Sequence, residues 1–328
     1  MKKYNVYGLG NALLDMEYEV TPETLQDLSI DKGVMTLIDD TRQAELVNRL
    51  GAPSKQGSGG SAANTIVAIA QFGGSAYYSC KVAGDEAGEV YLKDLLDCGV
   101  ATNLQVQERT DGITGKCLVL VTPDADRTMN TYLGITSSFG PSELDTEAIK
   151  SSEYLYIEGY LVTGEDSKAA AVQARQLAQA NGAQVALSLS DLNMAKFFKP
   201  GFLEIIAEGI DFIFANESEA LTMAETEDLG TAIAYLKTLA RGFAITLGAK
   251  GSLIFDGQSL IEIAPVPVKA VDTVGAGDMY AGAFLYGITH AMSYERSGNL
   301  ASLAAARLVT NLGARLETSV AQSLLQEV

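Results

Sequence analysis

Three small residues, Gly275, Ala276 and Gly277, stand directly before an acid, Asp278, inside the run Asp272–Leu285, DTVGAGDMYAGAFL. Small residues leave backbone N–H groups uncovered, so an anion can approach them closely. An apolar helix pattern follows through Met279, Ala283, Phe284, Gly287 and Ile288, and a helix N-terminus adds unpaired donors and the positive end of the dipole. The segment suits a phosphoryl group with one carboxylate beside it, and Asp278 would take a proton from an attacking hydroxyl. At a helix start its pKa is expected to be depressed. The plainer alternative is a glycine-rich turn that packs a helix against a sheet.

Other segments carry chemistry of a compatible kind. Gln56–Thr65 reads QGSGGSAANT and leads into the apolar run Ile66–Phe72. Here Gly59, Gly60 and Ser61 precede Asn64; an amide both donates and accepts, and glycine lets a sugar lie against the backbone. Alone, Asn64 reads as a polar helix-start residue. Gly57-x-Gly59-x-x-Ala62 also matches a dinucleotide fingerprint formally, but Leu50–Lys55 is not a strand run, as that motif requires. No GxxxxGK[ST] string occurs. Gly8–Asp15, GLGNALLD, leaves the first strand candidate, and Asp15 could accept two hydrogen bonds from a vicinal diol or be a turn acid. Asn216-Glu217-Ser218-Glu219 and Thr246–Gly251 each follow a strand candidate, where α/β proteins place ligand sites.

The fourteen residues from Asp272 and the segment Gly59–Asn64 resemble the two signatures of the ribokinase/PfkB family of sugar and nucleoside kinases. GNALLD is most similar to the adenosine-kinase-like branch. The resemblance spans almost the whole chain, and it implies a ribokinase-like α/β fold and ATP-dependent phosphorylation of a primary hydroxyl. It implies Asp278 as base with Gly275, Ala276 and Gly277 as an anion hole. It implies Asn11, Asp15, Gly59, Gly60, Ser61 and Asn64 for the acceptor, with Arg127 clamping the transferred group from a lid. Asn216, Thr246, Gly248, Gly251 and Asn311 are expected to meet ATP, and Glu219 with Asn216 to hold Mg²⁺ through water. Val274 departs from the hydroxyl residue many relatives carry, which leaves a monovalent cation such as K⁺ near Asp272 an open option. A catalytically silent nucleotide-binding protein and a dinucleotide oxidoreductase are the rival classes.

The elements that must position these residues alternate along the chain. Short apolar runs at Tyr4–Gly10, Val34–Ile38, Ala76–Cys80, Lys116–Val121, Thr128–Leu133, Tyr154–Ile157, Val185–Leu189, Phe212–Ala215, Ala244–Leu247 and Ser252–Phe255 read as strands. Helical patterns lie at Ala62–Phe72, Ala87–Asp97, Asp166–Ala180, Glu217–Met223, Gly230–Leu239, Asp278–Ala291 and Leu300–Leu312. Such alternation predicts a mostly parallel sheet with helices on both faces. Residues 15–40 and 105–135 are strand-like with few helix signals and are expected to form a small β lid. With no repeat or linker in sight, residues 1–328 read as one interrupted domain.

Composition narrows the partners. The 328 residues include 23 basic and 41 acidic side chains, for a net charge of −18, which argues against nucleic acid or an anionic membrane as partner. Phosphate must then be held by local donors and a metal ion. Three separated cysteines, Cys80, Cys98 and Cys117, suggest a reducing cytosol and no disulfide framework. A single histidine, His290, speaks against histidine-based catalysis. No signal peptide or membrane span is expected. Small-molecule acceptors are implied, for a monomer or a homodimer joined through the lid. Tyr18, Tyr132, Phe139 and Tyr160 are the candidates for stacking on a base.

Overall fold

The computed structural model describes residues 2–123 and 127–328. Its strands are β1 Tyr4–Leu9, β2 Leu13–Glu19, β3 Met35–Leu37, β4 Lys55–Gly59, β5 Ala76–Ser79, β6 Ala101–Thr102, β7 Lys116–Val121, β8 Arg127–Tyr132, β9 Ser152–Ile157, β10 Gln184–Ser188, β11 Ile210–Asn216, β12 Ala240–Thr246, β13 Ser252–Phe255 and β14 Leu260–Ile263. Nine form one sheet in the order β14-β13-β12-β11-β10-β9-β1-β5-β6. It is parallel from β12 to β6, with β13 and β14 added antiparallel at one edge.

Both faces of this sheet are covered, so its strands are apolar throughout. Side chains alternate between the two cores: Tyr154 and Tyr156 join one, Leu155 and Ile157 the other. Phe212 on β11 stacks on Phe284, ring centroids 4.9 Å apart, and so seats the helix Ala276–Thr289 on the sheet. From β1 the chain builds outward through β5 and β6, then returns to the other side of β1 through β9, β10, β11 and β12. The strand order therefore reverses between β1 and β9, where parallel sheets form ligand crevices beyond their C-terminal ends.

The other five strands form a second sheet, β3-β8-β7-β2-β4. Leu14, Met16 and Tyr18 bury one face of β2, while Leu13, Asp15 and Glu17 alternate onto the other. This sheet reaches beyond the two expected segments, because Lys55–Gly59 pairs antiparallel with β2. Its sequence, KQGSG, has no strand propensity of its own; pairing with β2 imposes the conformation. The expected segment 15–40 also contains the helix Pro22–Asp27, and the helix Asp40–Leu50 follows it. Their start signals are Thr21 before Pro22 and Asp39, whose side chains accept from Thr24 N and Arg42 N. The final long helix runs Tyr294–Leu308, capped by Ser293, rather than to Leu312.

Among the described residues no helix is long and apolar enough to cross a membrane. Cys80, Cys98 and Cys117 are free thiols, and the first and last are buried.

Candidate active site

Both glycine-rich approaches end at neighbouring helix starts. The helices Ser61–Gln71 and Ala276–Thr289 touch backbone to backbone at Gly282, where a Cβ would stand 2.6 Å from Ala68 Cβ and from the Thr65 carbonyl oxygen. That close approach sets Ser61 and Asn64 beside Asp278. Ser61 Oγ donates to Asp278 Oδ1 at 2.6 Å, and Asn64 Nδ2 donates to Oδ2 at 3.3 Å.

Gly275 caps the Asp278 helix at φ 76°, a left-handed conformation that glycine adopts without strain. A Cβ there would also lie 2.7 Å from that of Ala314. Gly277 is exposed, with open space where a side chain would be. Of the three expected anion-hole amides, that of Ala276 is engaged by the Thr273 carbonyl oxygen at 3.2 Å, closing the turn.

Burial pushes the Asp278 carboxyl up to about 6, opposed by the bonds from Ser61 and Asn64 and by the charge of Arg315. The carboxyl is thus raised where a depressed value was expected, with loss of water the largest cause. Asp278 is consequently a better base than its position in sequence implies. Burial also raises Asp15, Glu158 and Glu219, each to about 7.

The lid side of the site converges on Asp15. A Cβ on Gly59 would overlap the Asp15 carboxyl group, and one on Gly60 (φ 102°) would overlap the Asn11 carbonyl oxygen. Glycine at 59 lets β4 pass beneath Asp15, and glycine at 60 lets the chain turn against Asn11 into the helix that starts at Ser61. Asn11 is held by Glu158, which accepts from its backbone N at 3.2 Å and its Nδ2 at 3.1 Å, while Glu158 Oε2 accepts from Ala62 N at 2.9 Å. Glu158 is 1% exposed and sits at the reversal point between β1 and β9. Nothing in its local sequence marked it.

On the far side of Asp278 a cavity of about 330 Å³ opens, lined among others by Asn216, Glu219, Thr246, Gly275, Gly277 and Tyr160. Asn216 and Thr246 are register partners at the C-terminal ends of β11 and β12. Asn216 and Glu219 form a reciprocal cap: Asn216 N donates to Glu219 Oε2 at 2.9 Å, and Glu219 N to Asn216 Oδ1 at 2.8 Å. Gly248 and Gly251 take positive φ around the following turn. Asn311 is not among the cavity residues; its amide bonds the Arg307 carbonyl oxygen at 3.0 Å.

Arg127 pairs with Glu17 at 3.3 Å and with Asp272 at 3.1 Å, its side chain 8% exposed. It is neither a solvated turn residue nor a member of the cavity lining. Asp272, the open cation option, already receives this guanidinium and accepts from Val274 N and Gly313 N. Of the aromatic candidates, Tyr18 and Phe139 are core residues, Tyr132 is half-buried on β8, and Tyr160 faces the cavity. The fingerprint Gly57–Ala62 begins on an antiparallel strand of the second sheet, which is not the β-α-β setting a dinucleotide needs.

A metal ion fits here only as a hydrated one. Among the described residues no three His, Cys, Asp or Glu side chains are grouped to bind it directly. Asn216 and Glu219 both line the cavity; each of their three side-chain oxygens accepts one bond within the pair and keeps a second lone pair, a donor set that suits Mg²⁺ held through water.

The chain is similar to known proteins along almost its whole length. The model of the pfkB family carbohydrate kinases matches residues 28–320. Adenosine kinase of Saccharomyces cerevisiae is 30% identical over 327 residues, covering 93% of this chain and 94% of that protein. The crystal structure of adenosine kinase from Sinorhizobium meliloti superimposes with a TM-score of 0.89 at 36% identity, over 99% of this chain and 100% of the other. A probable sugar kinase from Rhizobium etli gives 0.89 at 32% identity over 100% of both chains. The fold is thus the expected ribokinase-like one. The chain belongs to the pfkB carbohydrate kinase family, and it is a phosphotransferase that uses ATP with a metal ion and an alcohol group as acceptor.

Proposed function

We propose that this kinase transfers the γ-phosphoryl group of ATP to the primary hydroxyl of a nucleoside, adenosine or a close analogue. The observation that carries the reading is the place of Asp278: at a helix start, lining a cavity of about 330 Å³ and near enough to the lid's Asp15 for their charges to interact. The names of the yeast and Sinorhizobium relatives favour adenosine. The second sheet serves as the lid of one interrupted domain spanning residues 1–328.

In this reading Asp15 and Asn64 hold a diol of the acceptor, with Asn11, Gly59, Gly60 and Ser61 shaping the floor. The primary hydroxyl then points at Asp278, which accepts its proton as the oxygen attacks. A carboxylate near 6 is ionised at neutral pH and still basic enough for late proton removal. The exposed Gly277 amide and that of Gly275 meet charge on the moving group; the Ala276 amide joins once its bond to Thr273 opens. Thr246, Gly248 and Gly251 hold ATP, and Asn311 would have to release Arg307 to reach it. Mg²⁺, held through water by Glu219 and Asn216, would neutralise phosphate charge. Arg127 steadies the lid on Asp272, and K⁺ there would have to share the carboxylate with it. The protein works in a reducing cytosol, alone or as a homodimer through the lid.

The test is ATP consumption with Mg²⁺ against adenosine, inosine, ribose, fructose and 2-keto-3-deoxygluconate. Turnover with adenosine alone supports the proposal. Turnover with a free sugar keeps the mechanism and favours the second reading, to which the Rhizobium etli sugar kinase points. ATP binding without turnover on any acceptor indicates the catalytically silent alternative.

A further inference from the structure

Arg315 lies in the irregular segment between the helices Tyr294–Leu308 and Thr318–Leu324, far along the chain from every residue it holds. Its Nε donates to Asn64 Oδ1 at 3.0 Å and its Nη1 to Asp94 Oδ2 at 2.9 Å. Its Nη2 donates to Ser58 Oγ at 3.0 Å and also to the Ser58 carbonyl oxygen. The single Nε–H, one of the Nη1 pair and both of the Nη2 pair are thus engaged. With its side chain 19% exposed and four of its five donors taken by protein, this guanidinium is chiefly a structural fork rather than a hook for substrate.

Arginine can only donate, so it dictates which end of the Asn64 amide faces it. The Asn64 oxygen turns to Arg315, and the NH₂ is left to face Asp278 Oδ2. One oxygen of the candidate base is therefore aimed by Ser61 and the other by an amide that Arg315 orients.

We propose that Arg315 is a positioning residue of the phosphoryl-transfer site, fixing the Asn64 amide and through it the Asp278 carboxylate, and tying both to lid strand β4 at Ser58. The proposal rests on the reading of Asp278 as base. Charge works in the same direction. Asp278 faces Asp15 from β2, Glu158 beyond β9, Glu219 from the helix Glu217–Met223, and the phenols Tyr156 and Tyr160. Arg315 is a cation that favours its ionised form against them.

The test compares Arg315→Met, Asn64→Ala, the double variant and Asp278→Asn. Arg315→Met should lower kcat about 10- to 100-fold, the scale of a misaimed catalytic group, with KM for MgATP within about threefold of the parent. Its acid limb should move to higher pH. In the Asn64→Ala background the same change should cost less than about twofold, because the two residues act as one unit. Independent multiplication of the two losses overturns the proposal, as does a parental kcat and pH profile in Arg315→Met. If that variant does not fold, Arg315→Lys replaces it. Lysine keeps the charge but not the fork, so kcat should fall while the acid limb stays put; a parental kcat overturns the idea. Asp278→Asn separates the two failures: normal turnover there sinks the base and this proposal together, whereas a dead Asp278→Asn beside parental Arg315 variants sinks this proposal alone. A carboxyl ¹³C titration of Asp278 needs no acceptor. It should move upward in Arg315→Met, and an unmoved titration counts against the proposal even if no turnover is found.

Discussion

The carboxyl group of Asp15 occupies the space where a side chain on Gly59 would begin. The lid acid and the strand beneath it are thus mutually exclusive in volume, and only glycine satisfies both. Gly59→Ala should displace Asp15 and raise KM for the acceptor about 10- to 100-fold, the range for a lost hydrogen bond to a charged group. ATP affinity should hold. Measuring both constants checks this, and an unchanged acceptor KM would show that Asp15 does not bind the acceptor.

Asp278→Asn keeps the shape and the bond from Ser61 but removes the base. Turnover should fall about 10²- to 10⁴-fold, with ATP binding retained by calorimetry. Near-normal kcat would remove Asp278 from the mechanism.

Because Asp278 must be ionised to accept a proton, kcat should rise with pH through about 6 and level off above it. Acceptor binding that depends on ionised Asp15 should follow a limb near 7. A flat pH profile from 5 to 8 would contradict the assignment of either role.

The raised carboxyls also predict how stability varies with pH. A carboxyl whose folded pKa is raised is protonated more readily folded than unfolded, so its stabilising contribution is complete below the unfolded value and is lost as pH rises through the folded one. For Asp15, the window runs from about 4 to about 7. Asp15→Asn cannot ionise, so it should melt higher than the parent at pH 8, with the gap narrowing towards pH 4. Parallel melting curves would contradict the raised state of Asp15.

Arg127 joins lid to core through Glu17 and Asp272, side chains that are 23% and 4% exposed. Arg127→Met leaves Asp272 buried without that partner and should cost about 3 kcal/mol in denaturant unfolding. The lid should also become easier to nick with protease. Parental stability, with kcat alone reduced, would instead favour a clamp on the transferred phosphoryl.

Much of this was legible in the chain itself. Gly275–Asp278 and Gly59–Asn64 are contiguous, and small residues before a helix have few other uses in combination. Alternating apolar runs determined the parallel sheet, because strands buried on both faces must be apolar throughout. The tertiary structure decided the rest. Lys55–Gly59 became a strand because β2 offered a partner. Glu158, Asp94 and Arg315 are lone charged residues separated from their partners by up to 257 positions, and no local pattern reports such contacts. The basicity of Asp278 belongs to the tertiary structure for the same reason: a helix start is written in the sequence, but the loss of water around a carboxylate exists only once the lid and both helices have met.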